Sequence, residues 1–139
     1  MYIYLSSDAS EKYFPDNKPF TFRTRLDYPA KLYGEWEIAL VDISLPRFQA
    51  EYKPEYVVIT SSICNNSFYN NSQSQILDRL YASELRPSGV LRIPRPKYIR
   101  INTETAYTID LHIFDEQGSH PSFRQGVSHC TLHIRKCLS

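Results

Sequence analysis

Short runs in which apolar and polar residues alternate recur along the chain, and they constrain its fold more than any other feature. In the run AYTIDLHIF, Tyr107, Ile109, Leu111 and Ile113 alternate with polar residues, and VSHCTLHIRK shows the same spacing. Successive side chains of a β-strand point to opposite faces of the sheet, so this alternation predicts strands with one buried face. MYIYLSS and FTFRTRL alternate likewise, and EYVVITSSI is rich in β-branched residues.

The segments between these runs are rich in turn-forming residues. A loop that contains Pro29 is predicted to lead from FTFRTRL to Gly34, and CNNSFYNNSQSQ is too polar to pack. ILDRLYASEL is compatible with a short helix or a strand, and the β character of the rest of the chain favours the strand. In GVLRIPRP and KYIRI, Pro94 and Pro96 remove two ladder donors. These short strands therefore belong at an edge or corner of a sheet.

The number and spacing of the strands predict an all-β fold. About eight short strands separated by turns indicate an antiparallel β-sandwich or barrel, and the single jelly roll is the eight-stranded member of that set. The 139 residues are enough for one such domain, spanning residues 1–139. Eleven tyrosines and seven phenylalanines, against one methionine and four glycines, suit pleated sheets better than helical bundles.

The stretch GEWEIALVDISLP contains the only tryptophan and a break in the alternation. Trp36, Ile38 and Leu40 share one side of a strand, but from Val41 onward the apolar residues fall on the opposite parity. A one-residue slip of this kind predicts a β-bulge at Leu40 and Val41, or a change of environment there. The residues predicted for the core of the sandwich are Phe20, Phe22, Trp36, Ile38, Leu40, Ile109, Leu111, Cys130, Leu132 and Ile134.

Candidate catalytic and metal-binding groups are few. Glu35 and Glu37 share a strand face about 7 Å apart, but the apolar residues of that strand lie on the other face. The two carboxylates then face solvent, where burial cannot raise a pKa for acid catalysis. His112 and His133 would form a two-histidine metal site only across neighbouring strands, and ordinary outward polar residues are the simpler interpretation. No GxSxG, HExxH, GxGxxG or Walker sequence occurs, so we expect no enzyme, no cofactor and no metal.

The charge balance and the cysteines argue against several partners. Sixteen basic and fifteen acidic residues leave a net charge of +1, too small for a general attraction to nucleic acid. We see no apolar run long enough to span a membrane and no signal peptide. Three cysteines without CxxC spacing indicate reduced thiols. The basic segment RIPRPKYIR could contact an anion, but a solvated edge is the simpler interpretation.

The tyrosines are more numerous than a core of this size needs, and eight of the eleven lie in the first half of the chain. Some are expected in the core. Because tyrosine provides a large contact area at low entropic cost, the excess predicts an oligomer or assembly interface. The residues predicted for this interface are Tyr2, Tyr4, Tyr13, Tyr28, Tyr33, Tyr69 and Tyr98.

Three blocks occur in order over nearly the whole chain: YFPDNKPFTFRTRL with LYGEWEIALVDISLP, YVVITSSI with ILDRLY, and YTIDLHIFDEQGSHPSFRQGVSHCTLHIRK. With these blocks the chain resembles the small virion-type proteins encoded by Maverick/Polinton elements and adintoviruses. The FPDN loop and the GEWEIAL strand are among the most specific pieces. The matching residues of the last block are Gly118, Pro121, Phe123, Gly126, Leu132, His133 and Arg135. The resemblance implies a non-enzymatic jelly-roll capsid component of the minor capsid or penton type.

Two functional hypotheses follow. The first is a structural virion protein, made in the host cytoplasm or nucleus, that self-associates as a trimer or pentamer and binds other capsid proteins. The alternative is a receptor- or glycan-binding β-sandwich on a virion or cell surface, with exposed Trp36 and Tyr98 as stacking platforms. Burial of Trp36 would weaken this alternative. An enzyme ranks third, because no motif supports one.

Overall fold

The computed structural model describes residues 1–65, 67–69, 72–86 and 89–138, except for the side chains of residues 67–69 and 72–73. Its one helical segment in these ranges is a 3-10 turn, Ala82–Glu84, so no described helix is long and apolar enough to cross a membrane. The strands are β1 (Tyr2–Ser6), β2 (Thr21–Lys31), β3 (Trp36–Ser44), β4 (Tyr56–Thr60), β5 (Ser67–Tyr69), β6 (Ser72–Ser74), β7 (Ile76–Tyr81), β8 (Leu91–Arg92), β9 (Ile99–Arg100), β10 (Thr105–Asp115) and β11 (His129–Lys136).

The strands form two antiparallel sheets that pack against each other, which confirms the predicted β-sandwich. The first sheet has the order β1-β11-β3, and the short strands β8 and β9 both pair along the other side of β3. The second sheet has the order β2-β10-β4-β7. If β8 and β9 are counted as one strand position, each sheet has four positions. Between these positions the chain crosses to the other sheet at every connection except the one from β4 to β7, which contains the separate β5-β6 pair. This alternation is the strand order of a jelly roll.

The core lies between the two sheets and consists mainly of aliphatic side chains from their inner faces. Phe20 and Trp36, both predicted for the core, are partly buried and pack against its margin. The other predicted core residues are buried: Phe22, Ile38, Leu40, Ile109, Leu111, Cys130, Leu132 and Ile134.

The predicted bulge in β3 is present. Leu132 of β11 pairs with Leu40 and Thr131 pairs with Asp42, so Val41 is an extra residue on β3. Because Val41 takes up the slip, Leu40 and Ile43 both face the core, with 0% and 1% of their surface exposed. The backbone carbonyl of Val41 accepts a hydrogen bond from the N–H of Ile93 at 2.8 Å. The bulge therefore joins two stretches of opposite parity into one buried strand.

Two predictions about β2 and β10 were wrong, because of the edge position of β2 and of its irregular pairing with β10. Pro29 lies within β2 and not in a loop, which is possible because β2 is the edge strand of its sheet. Tyr107 does not share the buried face of β10, since it is 66% exposed. Between the pairs Thr108↔Arg25 and Ala106↔Ala30 the register shifts. In this stretch, residues 26–29 of β2 lie opposite a single residue of β10, Tyr107. This irregular pairing turns the Tyr107 side chain outward.

The middle of the chain divides into a hairpin and an edge strand. The stretch expected to be too polar to pack contains β5 and β6, which pair with each other as a separate two-stranded sheet. The ambiguous ILDRLYASEL forms strand β7, as favoured, and then the 3-10 turn. β7 pairs with β4 and ends the second sheet.

Asp78 is a buried carboxylate on β7, with 6% of its surface exposed. One carboxylate oxygen accepts a hydrogen bond from the N–H of Arg79 at 2.7 Å. Burial nevertheless raises the pKa of Asp78 above its ordinary value, although the Arg79 N–H and the charge of Lys97 oppose the shift. A carboxyl with a raised pKa holds its proton more tightly in the folded chain. Its contribution to stability is therefore largest below the unfolded pKa and is lost as the pH rises through the folded pKa.

We expect the substitution Asp78→Asn to raise the free energy of unfolding at pH 7 by about 0.5–2 kcal/mol. Asparagine keeps an acceptor for the Arg79 N–H and removes the buried charge. Urea unfolding of both proteins between pH 4 and pH 7 checks this. The difference in the free energy of unfolding between variant and wild type should decrease toward pH 4, because the wild-type carboxyl is increasingly protonated there. A variant less stable than wild type at pH 7 would contradict the argument.

Candidate interaction surface

The tyrosines lie outside the core. No described tyrosine side chain belongs to the buried cluster, so for these residues the expectation that some tyrosines fill the core was wrong. Five of the seven tyrosines predicted for the interface are exposed. The remaining two are Tyr98, which is partly buried, and Tyr69, whose side chain lies outside the described residues. Tyr81 and Tyr107 are exposed although they were not predicted for the interface. The exposed tyrosines are Tyr2, Tyr4, Tyr13, Tyr28, Tyr33, Tyr81 and Tyr107.

Tyr2 and Tyr4 stand on the outer face of β1 and are 59% and 75% exposed. Their position follows from the alternation of MYIYLSS, because Ile3 and Leu5 take the inner face and are buried. The Tyr2 ring lies against the imidazole of His133, with ring centroids 4.5 Å apart. β1 thus presents two aromatic side chains toward solvent from a strand that is anchored by its other face.

The backbone of β1 is open on one side. Met1 exchanges hydrogen bonds with Ile134, at 2.8 and 2.9 Å, and the N–H of Ser7 donates to Ser128 at 2.9 Å. In an antiparallel pair every second residue bonds to the partner strand, so odd-numbered residues bond to β11. The N–H and C=O groups of the even-numbered residues 2 and 4 then point away from β11. β1 is the last strand of its sheet, so these groups face a free edge.

The other sheet edges carry features that hinder pairing with another strand. β2 contains Pro29 and ends with Lys31, and β7 carries the inward carboxylate of Asp78. β8 and β9 have two residues each and are separated by a segment that contains Pro94 and Pro96. Proline, lysine, inward charges and short length all block edge-to-edge pairing. β1 has none of these features, so among the described edges of the sandwich it is the open one.

Tyr98 contacts the same imidazole, His133, as Tyr2 does, but no ring contact among the described residues joins Tyr13, Tyr28 or Tyr33 to Tyr2 or Tyr4. Tyr13 lies in the connection between β1 and β2, where the guanidinium of Arg25 sits 4.4 Å from its ring centroid. Tyr28 lies in the irregular part of β2, and Tyr33 follows β2. The carbonyl of Tyr33 accepts a hydrogen bond from the indole N–H of Trp36 at 2.8 Å. The exposed tyrosines therefore cover several parts of the surface.

Neither of the two proposed stacking platforms is a free aromatic surface. Trp36 is partly buried and packs against the core. Tyr98 is partly buried; its hydroxyl is hydrogen bonded to Nδ1 of His133 at 2.8 Å, and the guanidinium of Arg135 lies 3.5 Å from its ring centroid. Burial lowers the pKa of His133, and the charges of the Met1 amine and Arg135 add to this effect. Tyr98 is thus part of an intramolecular cluster on the outer face of the first sheet.

Glu35 and Glu37 pair with arginines and do not form an acid pair. Glu35 is 3.1 Å from Arg100, and Glu37 is 2.7 Å from Arg135. Arg100 lies in the basic segment RIPRPKYIR, so this segment is partly neutralised by the strand beside it. The two carboxylates belong to the outer face, as strand parity predicts.

The histidines do not form a cross-strand metal site. His112 lies on β10 in the second sheet and His133 on β11 in the first, so the geometry that the two-histidine site needs is absent. In the described ranges, no cluster of three or more metal-ligating side chains occurs. Cys64 and Cys130 are buried free thiols, and burial raises the pKa of each to about 12.

A polar cluster that the sequence did not reveal lies on the outer face of the second sheet. Oδ1 of Asp110 accepts hydrogen bonds from the Ser62 hydroxyl at 2.6 Å, the Ser62 N–H at 3.0 Å and the Ser61 hydroxyl at 3.3 Å. Oδ2 lies 2.8 Å from Nε2 of His112, whose Nδ1 is 2.6 Å from the Thr21 hydroxyl. We name this group, Thr21, His112, Asp110, Ser61 and Ser62, the Asp110 cluster. It joins strands β2 and β10 to the segment that follows β4.

The Asp110 cluster contains a hydroxyl, an imidazole and a carboxylate in a row, as hydrolytic triads do. Acyl transfer also needs free N–H donors aimed at the developing oxyanion. The N–H of Thr21 donates to Lys18 at 3.1 Å, and the nearby side-chain amide of Asn17 donates to the carbonyl of Arg23 at 2.9 Å. These donors are already occupied, so the geometry supports a hydrogen-bonded clamp between strands.

The strand order and the open edge together define a class: an antiparallel jelly-roll sandwich with an aromatic, unprotected edge strand. No family model matches the chain, and no curated protein matches it in a search by sequence. The features on which a functional interpretation depends are thus the open edge of β1 with Tyr2 and Tyr4, and the resemblance described above.

Proposed function

We propose that this chain is a non-enzymatic structural protein of a virion that self-associates through strand β1. The observation that carries the proposal is the open edge of β1, which combines unpaired backbone groups with exposed Tyr2 and Tyr4. An extended strand from another molecule can add to such an edge through main-chain hydrogen bonds, and neighbouring side chains then provide specificity. Tyrosine is enriched at such interfaces.

The virion part of the proposal is supported by the fold and by the sequence resemblance together. Jelly-roll sandwiches occur in viral capsids and also in lectins and cupins, so the fold alone leaves the role open. The FPDN loop, the GEWEIAL strand and the LHIRK ending are the pieces of this sequence that carry the resemblance to Maverick/Polinton and adintovirus virion proteins. A glycan-binding role is less well supported, since Trp36 and Tyr98 are both partly buried.

The symmetry of the assembly depends on what β1 contacts. Pairing of β1 with β1 uses the same patch twice and closes as a two-fold dimer. Contact of β1 with a different patch of the next copy generates a ring where the rotation between copies closes, and an open filament where it does not. The resemblance to capsid proteins of the minor capsid or penton type favours the ring, as a trimer or pentamer with other capsid proteins as further partners.

The substitution Tyr4→Pro tests the open edge. The N–H of Tyr4 faces away from β11, so proline should leave the ladder with β11 intact while blocking addition of a strand at the edge. We expect wild-type protein to be oligomeric in analytical ultracentrifugation and Tyr4→Pro to be monomeric. Circular dichroism and the urea unfolding midpoint, extrapolated to the monomer, should change little.

Matched variants separate the edge from general surface effects. Tyr2→Ser combined with Tyr4→Ser should weaken association, whereas Tyr81→Ser combined with Tyr107→Ser removes two exposed tyrosines that were not predicted for the interface and should not. A wild-type chain that stays monomeric at high concentration, alone and with candidate capsid proteins, would contradict the proposal. A purely two-fold dimer would contradict the ring.

A further inference from the structure

Three connections meet at one end of the sandwich and enclose a half-open cavity of about 320 Å³. They join β3 to β4, β7 to β8 and β10 to β11. Phe48 of the first and Phe123 of the third pair as an isolated β-bridge, and their rings stack with centroids 5.5 Å apart. The Tyr52 hydroxyl donates a hydrogen bond to Asp115 at 2.6 Å. These contacts fasten the β3–β4 connection to the second sheet, so the cavity is pre-formed.

The inner wall of the cavity is apolar. Ile43 and Leu45 contribute buried side chains, and Phe48 and Leu85 are partly buried around them. The volume is near the lower end of the range for ligand sites, about 300–1,000 Å³. The cavity therefore has room for one or two apolar side chains, but not for a large ligand.

The rim of the cavity is cationic. Arg47, Arg86 and Arg124 come one from each connection and are exposed. None of the three forms an ion pair within the described part of the chain, and no carboxylate lines the cavity. The nearby carboxylate of Asp115 is already occupied by Tyr52 and by two backbone N–H groups. The three guanidinium groups at the mouth are thus free of direct ion pairs in the described part of the chain, and the carboxylate charges of Asp115 and Glu116 act on Tyr52 at the same cavity.

We propose that this site, the arginine pocket, binds an extended peptide segment of a partner protein, with an apolar anchor side chain flanked by carboxylates. The apolar wall receives the anchor, and the arginines pair with carboxylates on both sides of it, a geometry that suits bidentate pairing. The three arginines lie on separate connections, so they suit carboxylates spaced along a peptide better than the single charged headgroup of a small amphiphile. The inference rests on the proposed structural role, which supplies other capsid proteins as the source of the segment.

Fluorescence anisotropy with the labelled, capped peptide DDFDD tests the arginine pocket directly. We expect saturable binding that weakens about tenfold in Arg124→Ala and in Arg47→Ala, because each loses a charge-assisted pair. Binding should also weaken as salt is raised, owing to screening. The matched control Arg95→Ala removes an exposed arginine between β8 and β9 and should bind as wild type does. The peptides DDADD and KKFKK, which lack the anchor or reverse the charge, should bind at least tenfold more weakly.

Three results would overturn the inference: no saturable binding of DDFDD, binding unchanged in Arg124→Ala and Arg47→Ala, or equal binding of KKFKK. Decanoate serves as a rival ligand. If decanoate binds with the same arginine dependence while DDFDD does not, the pocket takes a small amphiphile and the peptide proposal fails. The monomeric Tyr4→Pro variant should bind DDFDD as tightly as wild type, so failure of the pocket and failure of self-association are separate outcomes.

Discussion

Replacement of Leu132 by alanine is expected to lower the free energy of unfolding by about 2–5 kcal/mol, the range for large-to-small substitutions in a packed core. Leu132 is 0% exposed in β11, an inner strand of the first sheet, and pairs with Leu40 beside the bulge of β3. Neighbouring side chains of a sheet can collapse little into the space left, because the register on both sides is fixed. The free energy of unfolding of such a domain is only about 5–15 kcal/mol. Leu132→Ala should therefore remove a large fraction of the total stability.

The chain offers a matched control in Leu138, which is 91% exposed beyond the end of β11. Leu138→Ala removes the same atoms and should change the free energy of unfolding by less than about 0.5 kcal/mol. Urea unfolding followed by Trp36 fluorescence measures both variants. A loss below 1 kcal/mol for Leu132→Ala, or equal losses for both leucines, would mean that the first sheet does not pack as described.

The strands and the inner faces could be predicted from the sequence because period-2 alternation reports directly which residues face the core. The slip at Val41 is the clearest case: the apolar residues change parity there, and the register with β11 shows the extra residue at that position. The aromatic outer face of β1 was equally readable, since MYIYLSS alternates tyrosine with aliphatic residues, whereas its position at the sheet edge was not.

What could not be predicted depends on contacts between distant segments. Pro29 indicates a loop by local rules, but the edge position of β2 lets the strand run through it. Tyr107 fits the alternation of β10 until the shifted pairing with β2 turns it outward. The arginine pocket takes Arg47, Arg86 and Arg124 from three separate connections, and no spacing along the chain relates them.

The Asp110 cluster was also invisible in the sequence, because Thr21 reaches it from β2 and Ser62 from the segment after β4, and only His112 is close to Asp110 in the chain. Substitution Asp110→Ala is expected to lower the free energy of unfolding by about 3 kcal/mol. Hydrogen bonds to a charged group contribute about 1.5–3 kcal/mol, and the hydroxyl and N–H donors left behind lose their acceptor. Asp110 is 14% exposed as a side chain, so water replaces these bonds only in part.

The pH dependence distinguishes the carboxylate from mere packing. Burial alone would raise the pKa of Asp110, but the Ser62 hydroxyl, the Ser62 N–H and His112 together hold it below its ordinary value. A carboxyl with a lowered pKa contributes stability above its unfolded pKa, and this contribution is lost as the pH falls through the folded pKa. The difference in the free energy of unfolding between wild type and Asp110→Asn should therefore be largest at pH 6 and should decrease below about pH 4. Asn keeps the shape and one acceptor, so a gap that stays constant down to pH 2 would show that the charge of Asp110 does not hold the clamp.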